Sequence, residues 1–98
     1  FQELAKYPPV SRDLAFVLDE KILYNEIKEE IINFNPLLRK LELFDVYSGD
    51  KLPLGKKSLA FHLIFQASDK TLTASEVDLI IKDLLIYLEK KFDIRLRD

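Results

Sequence analysis

Hydrophobic positions along this chain fall into two alternating rhythms, one of period two and one near 3.6. In DLAFVLD, residues 13–19, Leu14, Phe16 and Leu18 lie on one side and Ala15 and Val17 on the other. That is a strand with an apolar inner face and a small-residue outer face. In ILYNEIKEEIINF, Leu23, Ile27, Ile31 and Phe34 recur at helical spacing, with Glu26, Lys28, Glu29 and Glu30 mostly elsewhere on the wheel. Asn35-Pro36 then stops the helix. A second strand is expected from about Leu38 to Tyr47, with Phe44 and Val46 to one side and Leu43, Asp45 and Tyr47 to the other.

The loop SGDKLPLGK follows and holds both glycines, Gly49 and Gly55. A third strand, from about Lys57 to Ala67, sets Leu59, Phe61, Leu63 and Phe65 against Ser58, Ala60, His62, Ile64 and Gln66. Thr73 and Glu76 have the spacing of a capping box at a helix start. The helix repeats Val77, Ile80, Ile81, Leu84, Leu85 and Leu88 and ends near Lys90 and Lys91, whose charges suit its C-terminal dipole. A short last strand over 93–97 alternates Ile94 and Leu96 with Arg95 and Arg97. The opening FQELAKYPPVSR, broken by Pro8 and Pro9, reads as an extended lead-in over residues 1–12.

The order β-α-β-β-α-β is the ferredoxin-like, split-βαβ arrangement: an α+β fold with a four-stranded antiparallel sheet and two helices on one face. The face left bare should carry Ala15, Val17, Asp45, Tyr47, Ser58, Ala60, His62, Arg95 and Arg97. A one-residue slip in any strand would invert that strand's contribution.

Composition adds limits. Ninety-eight residues make a single domain, and 48% hydrophobic with 33% charged residues fits a globular chain. The absence of cysteine removes disulfides and thiolate metal sites. No apolar run is long enough for a membrane helix, and no signal-peptide pattern opens the chain, so a cytoplasmic setting without a membrane partner is expected. The chain begins at Phe1, which suggests a C-terminal fragment of something longer. A net charge of −2 is unusual for a free-standing nucleic-acid binder, so any such binding must rest on a local patch.

That patch has candidates. Asp45 and Tyr47, two residues apart, could accept hydrogen bonds from a base edge and stack on its ring; they also fit an ordinary exposed strand. Ser58 on the neighbouring strand could join them or be a plain surface serine. Lys51, Lys56, Lys57, Arg95, Arg97, Arg12 and Lys6 could hold phosphates or simply be solvated. His62, the single histidine, reads as a sheet-surface residue. No P-loop, GxGxxG, GxSxG or HExxH motif occurs, so neither catalytic residues nor a metal site are expected in this chain. A ferredoxin-like regulatory or dimerisation module without RNA binding is the alternative, since fold alone does not fix function.

The blocks YPPVSRDLAFVL, LFDVYSG, LGKKSLAFHLIFQ, TLTASEV and the terminal LRD, in that order, resemble the C-terminal ferredoxin-fold anticodon-binding domain of the bacterial phenylalanyl-tRNA synthetase β subunit. The resemblance runs along essentially the whole chain. It implies a non-catalytic domain that grips the anticodon stem-loop of tRNA(Phe), with no DNA partner. The parent would be an α2β2 ligase that uses ATP and Mg2+, with its aminoacylation site in the α subunit. Within RDLA, FDxY and GxKS, the family's base-contacting positions carry over to Ala15, Asp45, Tyr47 and Ser58. Tyr47 would stack on the first anticodon base, a guanine, with Asp45 and Ser58 hydrogen-bonded to it and Ala15 keeping the surface flat. Arg12 and the hairpin lysines would be phosphate contacts. Ser48 stands where some relatives carry a basic residue, and with the net acidic charge this implies weak binding by the isolated domain.

Overall fold

The computed structural model describes residues 7–49 and 51–96. Its elements are β1 (Val10–Asp19), α1 (Tyr24–Ile32), β2 (Leu38–Tyr47), β3 (Lys56–Phe65), α2 (Ala74–Phe92) and β4 (Arg95–Leu96). The strands form one antiparallel sheet in the order β2-β3-β1-β4, which is the ferredoxin-like α+β arrangement that the periodicity predicts.

The core follows the period-two residues of the strands and the helical stripes. Phe16, Leu18, Leu59, Phe61, Leu63 and Phe65 pack with Ile27 and Ile31 of α1 and with Val77, Ile81, Leu84 and Leu88 of α2. Burying each large apolar side chain contributes about 1.5–3 kcal/mol before chain entropy is counted. All these strand residues share one face, so both helices lie on it and the opposite face is left bare.

Local chemistry sets the element ends. Thr73 Oγ1 accepts from Glu76 N, and a Glu76 carboxylate oxygen accepts from Thr73 N, which completes the expected capping box. Asp93 closes α2 in the left-handed conformation. The β2–β3 connection ends in a turn in which Lys56 N donates to Pro53 O and Gly55 takes φ +81°. That is the geometry of a type II turn, whose third position disfavours any residue with a Cβ.

Three expectations need correction. β1 starts at Val10, so the last part of the expected lead-in belongs to the sheet, with Val10 opposite Phe65 and packed on the core. Leu23 is the residue before the first turn of α1 rather than part of its buried stripe, and it is 64% exposed. The third concerns faces: β2 does not alternate through its later half. Its register with β3 shifts between Leu38 and Lys40 and again between Leu43 and Asp45. At the second shift Phe44 is an extra residue, a β-bulge. Leu43 therefore faces the core opposite Phe61, while Asp45 and Tyr47 face the bare side as expected.

Candidate functional site

The bare face is built from rows of residues in register. Arg95, Val17, Ser58 and Tyr47 form one row across all four strands. Ala15, Ala60 and Asp45 form the next, and Asp13, His62 and Glu42 the one after. Thus Ala15, Asp45, Tyr47 and Ser58, which come from three strands, meet within two adjacent rows. The middle of this surface is low because Ala15, Ala60 and Ser58 are small. Tyr47 and Asp45 stand along the β2 edge.

Ser58 departs from its expected exposure. It is only 2% exposed, although no helix covers it. It lies on an interior strand, with Val17 and Tyr47 as its register partners on either side. A ligand can reach its hydroxyl only if the side chains around it move. Tyr47, half-buried, lies back against the hairpin loop: a Cβ placed on Gly49 would sit 2.9 Å from the Tyr47 hydroxyl. Glycine at position 49 thus leaves room for the ring.

The cations divide into bound and available sets. Arg12, in register with Leu63, points to the helix side, where its Nε lies 3.3 Å from Asp78 Oδ1. Lys57, opposite Leu18, also points to that side and donates to the Ile22 carbonyl at 2.6 Å. Alternation therefore carries both away from the bare face. Lys51 is exposed in the hairpin loop, Lys56 opens β3, and Arg95 extends the Tyr47 row from the far edge. Arg97 and Lys6 lie outside the described residues.

Two residues here were not singled out from the sequence as part of the site. The bulge puts Phe44 on the bare face, where its ring stacks on His62 with centroids 3.9 Å apart and planes within 11°. Asp13 Oδ1 in turn bonds His62 Nδ1. The DxY alternation hid Phe44, since strict period two assigns it to the core.

An open groove of about 510 Å3 between the β1–α1 turn and the end of α2 mixes Lys21, Lys56, Lys90 and Lys91 with Asp19, Glu26 and Asp93. Basic and acidic groups are interleaved there, four to three, and α2 presents its negative dipole end, which disfavours an anion. Among the described residues no helix is long and apolar enough to cross a membrane.

Residues 5–97 match the family described as the ferredoxin-fold anticodon binding domain. The chain belongs to that family. It is 37% identical to the phenylalanine–tRNA ligase beta subunit of Fusobacterium nucleatum over 97 residues, which are 99% of this chain and 12% of that protein. The corresponding subunit of Rickettsia felis is 46% identical over 88 residues, covering 89% of this chain and 11% of the relative. That of Geobacillus kaustophilus is 41% identical over 98 residues, covering 99% and 12%. The chain therefore spans about 12% of the length of these relatives.

For an anticodon-binding domain the bare sheet is a sensible receptor. It offers an aromatic edge, a floor of small residues, carboxylates that can accept from base edges and cations at one end.

Proposed function

We propose that the bare sheet face binds the anticodon stem-loop of tRNA(Phe), as part of a phenylalanine–tRNA ligase β subunit acting in the cytoplasm. The observation that carries this reading is the alignment of Tyr47, Asp45, Ala15 and Ser58 in two adjacent rows on the face the helices leave open. Tyr47 supplies a ring on which the first anticodon base stacks. The Asp45 carboxylate accepts hydrogen bonds from the donors on guanine's Watson–Crick edge. Ala15 and Ala60 let the base approach the backbone, and a swing of Tyr47 from its place beside Gly49 would uncover Ser58. Lys51, Lys56 and Arg95 hold phosphates, while Arg12 and Lys57 maintain the fold.

The parent would be an α2β2 assembly that attaches phenylalanine to tRNA with ATP and Mg2+. Among the described residues no group of three His, Cys, Asp or Glu side chains could hold a metal ion. In this reading the domain contributes recognition, and the nucleotide chemistry belongs to the rest of the assembly.

The test is kinetic. In the parent enzyme, Tyr47→Ala or Asp45→Ala should raise the KM for tRNA by about fivefold to a hundredfold, since one base–aromatic stack is worth about 1–3 kcal/mol. Phenylalanine-dependent ATP–pyrophosphate exchange should not change. Loss of exchange would assign these residues a structural role instead. Replacing Lys51, Lys56 and Arg95 together should flatten the salt dependence of binding, by roughly 0.7 in log–log slope for each phosphate no longer neutralised.

A further inference from the structure

We infer that Phe44, backed by His62 and Asp13, is a second stacking platform, which takes another unpaired base of the same RNA strand beyond the one on Tyr47. This rests on the anticodon-loop reading above and extends it to a specific nucleotide subsite.

Three observations lead there. First, Phe44 is a large aromatic side chain 50% exposed on a surface otherwise floored by small residues, and a bulge puts it there against the alternation of its strand. Bulges commonly re-aim a side chain beside a functional site. Second, the ring is held in place. His62 covers one face at 3.9 Å, and Asp13 fixes the imidazole through Nδ1. The exposed half of Phe44 is what a third ring can add to, which extends a stack already two rings deep. Third, the spacing suits a single strand crossing the sheet. Tyr47 and Phe44 are three residues apart on β2, or at most about 10 Å at 3.3 Å per residue. That leaves room for two bases on separate platforms of one short loop.

The charge around the platform decides which part of the nucleotide faces it. Asp13, Glu42 and Asp45 surround the ring pair, with Lys40 3.7 Å from Glu42. Three carboxylates repel phosphate and accept from amino and imino groups. The platform is therefore a base subsite, and it favours adenine, guanine or cytosine, which carry exocyclic amino groups, over uracil.

The experiment uses the parent ligase that contains this chain and stem-loop RNAs with 2-aminopurine at each anticodon position in turn, titrated at low salt. Stacking quenches the probe. The wild type should quench at two positions. Tyr47→Ala should relieve one of them, and Phe44→Ala the other, with a fivefold to hundredfold loss of affinity in each case. Phe44→Tyr should behave as wild type, and Phe44→Leu as Phe44→Ala.

Deletion of Phe44 is the cleanest variant. It removes the extra residue and leaves Leu43 opposite Phe61 and Asp45 opposite Ala60, so the Tyr47 position should still quench. If Phe44→Ala binds within twofold of wild type and quenches at both positions while Tyr47→Ala does not, the second platform is wrong and the first stands. If no position quenches in the wild type, both readings fall together.

Discussion

β1 and β2 are each ten residues long and each pairs with β3, yet they present their side chains by different rules. β1 matches β3 residue for residue, from Val10 opposite Phe65 to Asp19 opposite Lys56. β2 gains an extra residue twice, at Arg39 and at Phe44. β1 lies inside the sheet, where a slip would turn Phe16 and Leu18 out of the core. β2 is an edge strand, and a bulge there disturbs only one ladder. The inner strand secures the fold, and the edge strand is free to aim residues at a ligand. Tyr47, Asp45 and Phe44 all come from β2, and β1 contributes only the flat Ala15 and the supporting Asp13.

The sharpest way to break this contrast is to truncate one phenylalanine on each strand. Phe16→Ala should cost about 3–5 kcal/mol, because a fully buried ring leaves a cavity. Phe44→Ala should cost about 1 kcal/mol or less, since it removes one partly exposed ring pair. Urea denaturation of both variants gives the comparison directly. Equal losses would mean that β2 is as structural as β1.

The next largest effect should come from the turn that sets where β2 meets β3. Gly55→Ala places a Cβ at φ +81°, with no atom within 4 Å to clash. The cost is therefore backbone strain alone, about 1–2 kcal/mol. On a domain of this size that lowers Tm by about 4–16 °C. Gly55→Asn should recover part of the loss, because asparagine tolerates the left-handed region better. A loss of the same size from both variants would point to something other than φ.

How much of this was legible in the sequence follows the same division. On β1 and β3 the alternation of Leu14, Phe16 and Leu18 and of Leu59, Phe61, Leu63 and Phe65 carries straight into the core, since the β1–β3 ladder is unbroken and the extra residues of the other ladder lie on β2. The capping box at Thr73 was legible because its chemistry is local. On β2, alternation assigns Asp45 and Tyr47 to the correct face but exchanges Leu43 and Phe44. The bulges do mark the pattern, since the inward residues Leu38, Leu41, Leu43 and Val46 are spaced three, two and three apart, but strict alternation through LFDVY passes over that break. Burial was the other gap. Ser58 lies on the correct face, but alternation gives direction and not burial, so its 2% exposure was not legible. For Arg12 and Lys57 the count of charge carried no direction, and the same alternation places both on the helix side.

The smallest expected effect tests whether the helix layer also holds its two halves unequally. Glu30 near the end of α1 accepts from the Tyr87 hydroxyl and pairs with Lys91 Nζ at 3.0 Å, both on α2. The Tyr87 hydrogen bond first, then Lys91, lowers the Glu30 carboxyl below its ordinary value of 4.5. A lowered value means that the folded state prefers the ionised form. The contribution is thus present above about pH 4.5 and is lost as pH falls through the lowered folded value. Glu76, lowered chiefly by Lys70, follows the same sign at the start of α2. Acid should therefore loosen α1 from α2 and, with it, the β2 side of the sheet before the β1 side. Hydrogen exchange from pH 6 to pH 3, corrected for the intrinsic rate, should show protection falling first in α1 and β2. Glu30→Gln should start slightly less stable at neutral pH and lose less on acidification, with the remaining slope due to groups such as Glu76. Parallel acid curves for the variant and the wild type would show that Glu30 contributes nothing to this linkage. Equal loss of protection in β1 and β2 would show that the sheet answers to acid as one unit, with no weaker side.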